Sequence, residues 1–270
     1  MIVAGCDVGS RTGKVVILNG EDILATSIVP RAIDAGATAK AAMEQALMRA
    51  ALSLDDLRYV VGTGWGKLSV PFAQQMITEI AAQSRGANRV DPGIRTVIDM
   101  GGQDCKVLRV DGRGIVSDFV TNDKCASGTG RFLEDIARVL AVRLEDLGAI
   151  SLRSERPVKI STQCSVFAKS EVVSLIAEKK AVTDIVAGIH AAIVSRLLTL
   201  LHRLGIEEKL LLSGGVGKNV GLVQRLEERL GIKLVKPAID PQLIGALGAA
   251  LAARHALQGE AVATRIDCRA

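Results

Sequence analysis

Aromatic residues are scarce in this chain of 270, with one Trp, one Tyr and four Phe. So few rings leave little on which bases could stack, and no basic run compensates, so a nucleic-acid surface is excluded. Charge is also modest. The net +5, from 34 Lys+Arg against 29 Asp+Glu, is spread along the chain and suits anionic ligands, an acidic partner or plain solubility. Long apolar runs are missing: LIGALGAALAA, at 243–253, is too short to span a bilayer, and no membrane partner is expected. The opening MIVAGCDVGS carries neither a basic region nor a cleavage site, so no signal peptide is expected. The five cysteines (Cys6, Cys105, Cys125, Cys164 and Cys268) are odd in number and form no CxxC, which argues against a disulfide framework and for a reducing cytoplasm.

What is present is a repeat. Asp7-Val8-Gly9-Ser10-Arg11-Thr12-Gly13-Lys14-Val15 matches Asp99-Met100-Gly101-Gly102-Gln103-Asp104-Cys105-Lys106-Val107 at an offset of 92. The same offset carries the hairpin turn Asn19-Gly20 onto Asp111-Gly112, and the apolar run ILATSIV onto IVSDFV. The chain therefore holds a duplicated unit of a β-hairpin plus a third strand. Periodicity predicts helices over 38–52, 70–83 (with Pro71 near its start), 131–142, 183–204, 219–231 and 242–257, and another after Cys164. Strands are expected at 57–64, 158–164, 209–215 and 233–238, loops at 83–95 and 151–156, and a loose tail from 258. Meanders followed by helix–strand–helix in both halves give an α/β protein of two related domains, 1–95 plus 246–270 and 96–245.

Both Asp-x-Gly units lie on turns between strands. Walker and Rossmann loops need a helix after the glycines, so neither applies. Facing hairpins can instead clasp phosphates through the backbone N–H groups of Gly9 to Gly13 and of Gly101, Gly102 and Gln103. Asp7 or Asp99 would then lie near a metal, and Lys14 would neutralise charge. A third loop, Ser213-Gly214-Gly215-Val216-Gly217, follows an apolar strand and opens a helix, a seat for a nucleoside. One glycine turn alone is more often simple hairpin chemistry; the duplicated pair with a third loop reverses that balance.

The cysteines of TNDKCASGTGRFLE (121–134) and STQCSVFAKSEVV (161–173) each stand just before a helix. A helix N-terminus favours the thiolate, although a lone cysteine there is more often a packed small hydrophobe. Cys125 and Cys164 are too few for a four-cysteine site unless a second subunit supplies two more. Cys6 and Cys105 fit core strands, and Cys268 a free thiol. His190 on the long helix fits structure or an adenosine contact; His202 and His255 fit surface or packing. Trp65 fits a cover over the cleft or simple packing, and Glu171 a capping or pairing role.

Together GCDVGSRTGK, VIDMGGQDCK, NDKCASGTGRFLE, STQCSVFAKSEV and LLSGGVGKN resemble the ATPase activators of 2-hydroxyacyl-CoA dehydratases, a family that includes the ATPase subunits of benzoyl-CoA reductase. The resemblance runs from Val3 to about Ala253. It implies duplicated actin-like (ribonuclease H-like) ATPase domains with ATP or ADP and Mg2+ in the cleft between them. It also implies a homodimer sharing one [4Fe–4S] cluster, with Cys125 and Cys164 as each subunit's ligands. Nucleotide would touch Gly9, Ser10, Arg11, Thr12, Gly13, Lys14, Gly101, Gly102, Gln103, Gly214, Gly215, Gly217 and Gln242. Asp7 and Asp99 would serve catalysis, and Gln103 or Asp104 would orient the attacking water. The implied activity is ATP-driven electron transfer to an iron–sulfur dehydratase or reductase, with a ferredoxin or flavodoxin upstream. Lys169 and Arg11 depart from the family pattern, which favours an acidic and a small residue at those places. A small-molecule kinase of the same fold would have no use for two matched cysteines, and an actin-like or chaperone switch normally carries insertions that 270 residues leave no room for.

Overall fold

The structure is a computed structural model that describes residues 1–122, 129–160 and 165–259, with only the backbone of Ser165 and Val166. Its first half opens with β1 (Ile2–Val8), β2 (Thr12–Asn19) and β3 (Asp22–Pro30), an antiparallel meander. After α1 (Ala35–Ala50), β4 (Tyr59–Thr63) returns parallel to β1, and two-residue β5 (Gln75–Met76) pairs with β4. The helix α2 (Glu79–Val90) then leads to the second meander, β6 (Thr96–Met100), β7 (Cys105–Val110) and β8 (Val116–Thr121). Next come α3 (Gly130–Val139), α4 (Leu147–Leu152), α5 (Ser165–Ala177) and α6 (Val182–Leu204). Finally β9 (Leu210–Ser213) returns parallel to β6, and α7 (Val220–Leu230) and α8 (Ile244–Leu257) follow.

The two sheets run β3-β2-β1-β4-β5 and β8-β7-β6-β9, so four strands share order and direction. The repeat read from the sequence is therefore real at the level of register. Asp7 faces Lys14 across one hairpin, and Asp99 faces Lys106 across the other.

Local chemistry sets the helix starts. The Asp34 carboxylate accepts from the N–H groups of Gly36 and Ala37 to begin α1, and Thr78 Oγ1 accepts from Ala81 N–H to begin α2. The helix expected over 70–83 thus begins nine residues later. The stretch around Pro71 is a loop with a short 3-10 turn and β5, and much of the expected loop 83–95 is helical. Gly86 explains the misreading. A Cβ there would lie 2.0 Å from the Ile244 carbonyl oxygen, so the glycine that reads as a breaker lets α2 and α8 cross. Two other expected strands are not seen among the described residues. Residues 158–160 lie across α6, with Val158 N–H on the Asp184 carbonyl, and 233–238 contributes a single bridge, Val235 to Leu211.

The core lies between sheets and helices. Val3, Val16 and Val61 pack beneath α8, and Ile98, Val107 and Leu212 pack with α3 and α6. The apolar length of α6 would suit a membrane, but Ile185, Ile189, Ile193 and Leu201 are fully buried in this core. Cys6 and Cys105 are buried strand residues, as the sequence suggests. Burial pushes the Cys6 thiol up to about 12 and raises that of Cys105 further, which keeps both protonated and poor as ligands. Cys268 lies outside the described residues.

Candidate functional site

The two Asp-x-Gly turns face each other across a cleft of about 1210 Å³. In the first, Gly9 N–H donates to the Thr12 carbonyl at 3.0 Å; in the second, Gly101 N–H donates to the Asp104 carbonyl at 3.0 Å. Each bonded pair is the other shifted by 92, so the duplication reaches the individual hydrogen bond. The turns also touch. A Cβ on Gly102 would lie 2.3 Å from Arg11 Cγ and 2.8 Å from Ser10 Oγ, so glycine at 102 is what allows the approach.

Beneath each turn sits a carboxylate with a lysine. Lys14 Nζ stands 3.2 Å from Asp7 Oδ2, both buried. The second floor is more acidic: Lys106 Nζ lies 2.8 Å from Glu79 Oε2 and 2.5 Å from Asp104 Oδ2, with Asp99 opposite it in the ladder. Burial drives the Asp99 carboxyl up to about 7 against the pull of Lys106, and Glu79, Asp104 and Asp7 add to the rise. Burial opposes the Lys106 charge, yet Asp99, Glu79 and Asp104 hold its ammonium above the ordinary lysine range. The floor is thus a compact set of oxygens and ammonium groups that a phosphate chain or its metal could redistribute.

The parallel strands repeat the pattern. Thr63 stands beside Asp7 and Ser213 beside Asp99, and each is followed by a glycine with positive φ, Gly64 (+90°) and Gly214 (+85°). A Cβ on either would strike the backbone of Val8 or Met100, so only glycine fits behind the turns. The third loop completes one wall. Gly214 and Gly215 line the cleft beside Gln242, whose Oε1 accepts from Lys218 Nζ at 2.9 Å, and Lys218 pairs with Asp240 at 2.5 Å. At the rim, Arg31 lies over the exposed Trp65 ring at 5.3 Å and donates to the Gly9 carbonyl at 3.1 Å. Arg11 reaches across to pair with Glu134 on α3.

Of the expected residues, Asp7, Gly9, Ser10, Arg11, Thr12, Lys14, Asp99, Gly101, Gly102, Gln103, Asp104, Gly214, Gly215 and Gln242 line this cleft. Gly13 and Gly217 do not. The Cβ direction of Gly13 faces Thr38 of α1, and that of Gly217 faces the Leu212 carbonyl and Pro241, so a side chain at either would meet packed neighbours. Glu79, Gln83, Thr63 and Lys106 also line it, and sequence reading did not assign them. Lys106 was available as the repeat partner of Lys14. Glu79 and Gln83, one turn apart, share a face only once α2 is known to start at Glu79.

Cys125 and Cys164 lie outside the described residues. The helices that follow them do not. The first two amides of α3, Gly130 and Arg131, donate to the carbonyls of Gly101 and Gly102 at 2.9 and 3.0 Å, so the start of α3 is hydrogen-bonded to the second turn. Lys169 of α5 pairs with Asp135 of α3 at 2.6 Å, within two turns of both helix starts, which gives this lysine a local partner. His190 on α6 meets the cleft residue Asn219 at 3.2 Å, in keeping with a structural role.

With this geometry, the likeness to known proteins is specific. A curated relative, the 2-hydroxyisocaproyl-CoA dehydratase activator of Clostridioides difficile, is 41% identical over 252 residues, covering 93% of this chain and 94% of that protein. One of the benzoyl-CoA reductase subunits of Thauera aromatica is 32% identical over 268 residues, covering 94% of both chains. A solved structure described as the activator of the 2-hydroxyisocaproyl-CoA dehydratase from Clostridium difficile with bound ADPNP superposes with a TM-score of 0.92 at 39% identity, covering 96% of both chains. The fold is that of the actin-like ATPases. Residues 4–253 match the BadF/BadG/BcrA/BcrD ATPase family, and this chain belongs to it.

Proposed function

We propose that this chain uses ATP turnover in the cleft to drive one-electron transfer to a partner 2-hydroxyacyl-CoA dehydratase, through a [4Fe–4S] cluster shared by two copies of the chain. The observation that carries the reading is the hydrogen-bonded continuity between the second turn and α3, because it joins the phosphate site to the helix that follows Cys125. Full-length similarity to a dehydratase activator, at 41% identity, favours that partner over a benzoyl-CoA reductase, whose Thauera aromatica relative is less similar at 32%.

The described residues suit a magnesium nucleotide. Mg2+ riding on phosphates needs only one or two carboxylates, and Asp7 and Asp99 supply them beneath the turns. Lys14 and Lys106 would balance phosphate charge, the turn amides would hold phosphate oxygens, and Gly214, Gly215 and Gln242 would seat the nucleoside. Asp104 is already held by Lys106, which favours Gln103 as the residue that orients the attacking water. The domain division proposed is 1–95 plus 246–270 against 96–245, with the cleft between them.

Two thiolates per chain, Cys125 and Cys164, suit a cluster that takes four. The pairing of α3 with α5 near their starts is consistent with both segments serving one site. Such a cluster would supply a low-potential electron, drawn from a ferredoxin or flavodoxin in the cytoplasm. Iron and acid-labile sulfide, measured with solution mass on protein purified without oxygen, should give about two of each per chain in a dimer. Cys125→Ala and Cys164→Ala should each lose iron while still binding ATP. An iron-free monomer, or a full cluster in either variant, sinks the reading.

A further inference from the structure

The ion pair between Arg11 and Glu134 crosses the cleft between residues 123 apart in sequence, and it joins the first phosphate turn to α3. Its geometry is that of a fork: Arg11 Nε lies 3.0 Å from Glu134 Oε1, and Nη2 meets Oε2. Gly102 lets the Arg11 side chain lie over the second turn on its way. Arg11 therefore occupies the space between the two turns that would hold phosphates. A guanidinium fork binds a phosphate as readily as a carboxylate. The pair is also open to solvent, with the arginine side chain 46% and the glutamate 23% exposed, so its net strength is small and it exchanges partners easily.

We infer that Arg11 and Glu134 form a latch across the cleft that nucleotide phosphates release: Arg11 leaves Glu134 for the phosphate chain, and α3 loses its tie to the first turn. This rests on nucleotide binding in the cleft, as proposed above, and adds that Glu134 competes with nucleotide for Arg11. Glu134 lies in the second turn of α3, whose first amides bond to Gly101 and Gly102. Phosphate arrival would thus be felt by this helix through a side chain as well as through its backbone.

The test is a double-mutant cycle read by calorimetric titration of Mg-ATP into anaerobically purified full-length protein at low, fixed salt. Glu134→Gln should tighten ATP binding about two- to fivefold, the range expected when an exposed ion pair no longer competes. In an Arg11→Ser background the same substitution should change nothing, because no guanidinium is left to compete for. Unchanged or weaker binding in Glu134→Gln overturns the latch, as does an equal tightening with Arg11 absent. Should Glu134→Gln fail to fold, Arg11→Ser alone decides: weaker ATP binding at an unchanged Tm supports the exchange, and unchanged or tighter binding overturns it. Absence of ATP binding by the unaltered protein would sink the nucleotide reading itself, and the latch with it.

Discussion

His190 is fully buried in α6, and its ring has one hydrogen-bond partner among the described residues. Asn219 Oδ1 already accepts from Leu222 N–H to cap α7, so the Asn219 amide donates to His190 Nε2. The proton then sits on Nδ1, which has no acceptor among the described residues. Burial, helped by Arg225, lowers the imidazole from 6.5 to about 3. Between those values the unfolded chain binds a proton that the native protein refuses, so this residue makes stability fall as pH drops. The slope is about 1.4 kcal/mol per pH unit, or about 2 kcal/mol lost from pH 7 to pH 5. Asp99 runs the other way. Raised from 3.8 to about 7, it holds a proton that the unfolded chain has shed, so its contribution falls as pH rises through that window. The opposed slopes mask each other in the parent protein. Urea denaturation of His190→Gln beside the parent should isolate the histidine, with the variant gaining about 2 kcal/mol relative to the parent on going from pH 7 to pH 5. A flat difference would mean that the ring is protonated or hydrated in the native state.

At the scale of elements, the crossing of α2 and α8 locks α2 to the helix that covers the first sheet. Gly86 meets Ile244 there, and a Cβ on Gly248 would lie 1.8 Å from the Ala82 carbonyl oxygen. Gly248→Ala must push the helices apart and should cost about 1–3 kcal/mol in chemical denaturation. It should also weaken ATP binding, because the same shift moves Glu79 and Gln83 in the cleft. An unchanged midpoint would show that the helices slide freely. This crossing also marks where the sequence stopped being legible. The repeat was readable because Asp7 and Lys14 stand at the same spacing as Asp99 and Lys106, each pair flanking a glycine turn between strands. The start of α2 was not, because Pro71 imitates a helix start while the actual cap is Thr78, and because Gly86 is a long-range packing residue that reads locally as a loop. Likewise Thr63-Gly64 and Ser213-Gly214 are equivalent in space but offer only two residues of pattern each. The strand expected at 233–238 does not form because the Leu234 N–H is taken by Glu227 Oε1 of α7, which leaves Val235 with a single bridge to Leu211.

Taken whole, the described residues form two matched sheets whose turns touch where Gly102 meets Ser10 and Arg11, with further contacts through the Arg11–Glu134 and Glu79–Lys106 pairs and the apolar region around Ala87, Ile94, Val97 and Ile244. Force from a bound nucleotide can pass to α3 by a short route, since Gly130 and Arg131 donate to the carbonyls of the turn that would hold phosphate. Fixing that turn should slow the local opening that exposes these amides. Hydrogen exchange across 129–139 should therefore slow when Mg-ATP is added, whereas α6, already buried in the core, should not change. The effect should persist in Cys125→Ala, because the route depends on backbone bonds between the turn and the helix and needs no iron. That separation is what makes the measurement informative. Protection in both proteins would place the coupling in the polypeptide, where nucleotide state could act on whatever Cys125 binds. Protection of the turn alone, with α3 unaffected, would break the link between cleft and cysteine on which the electron-transfer reading depends.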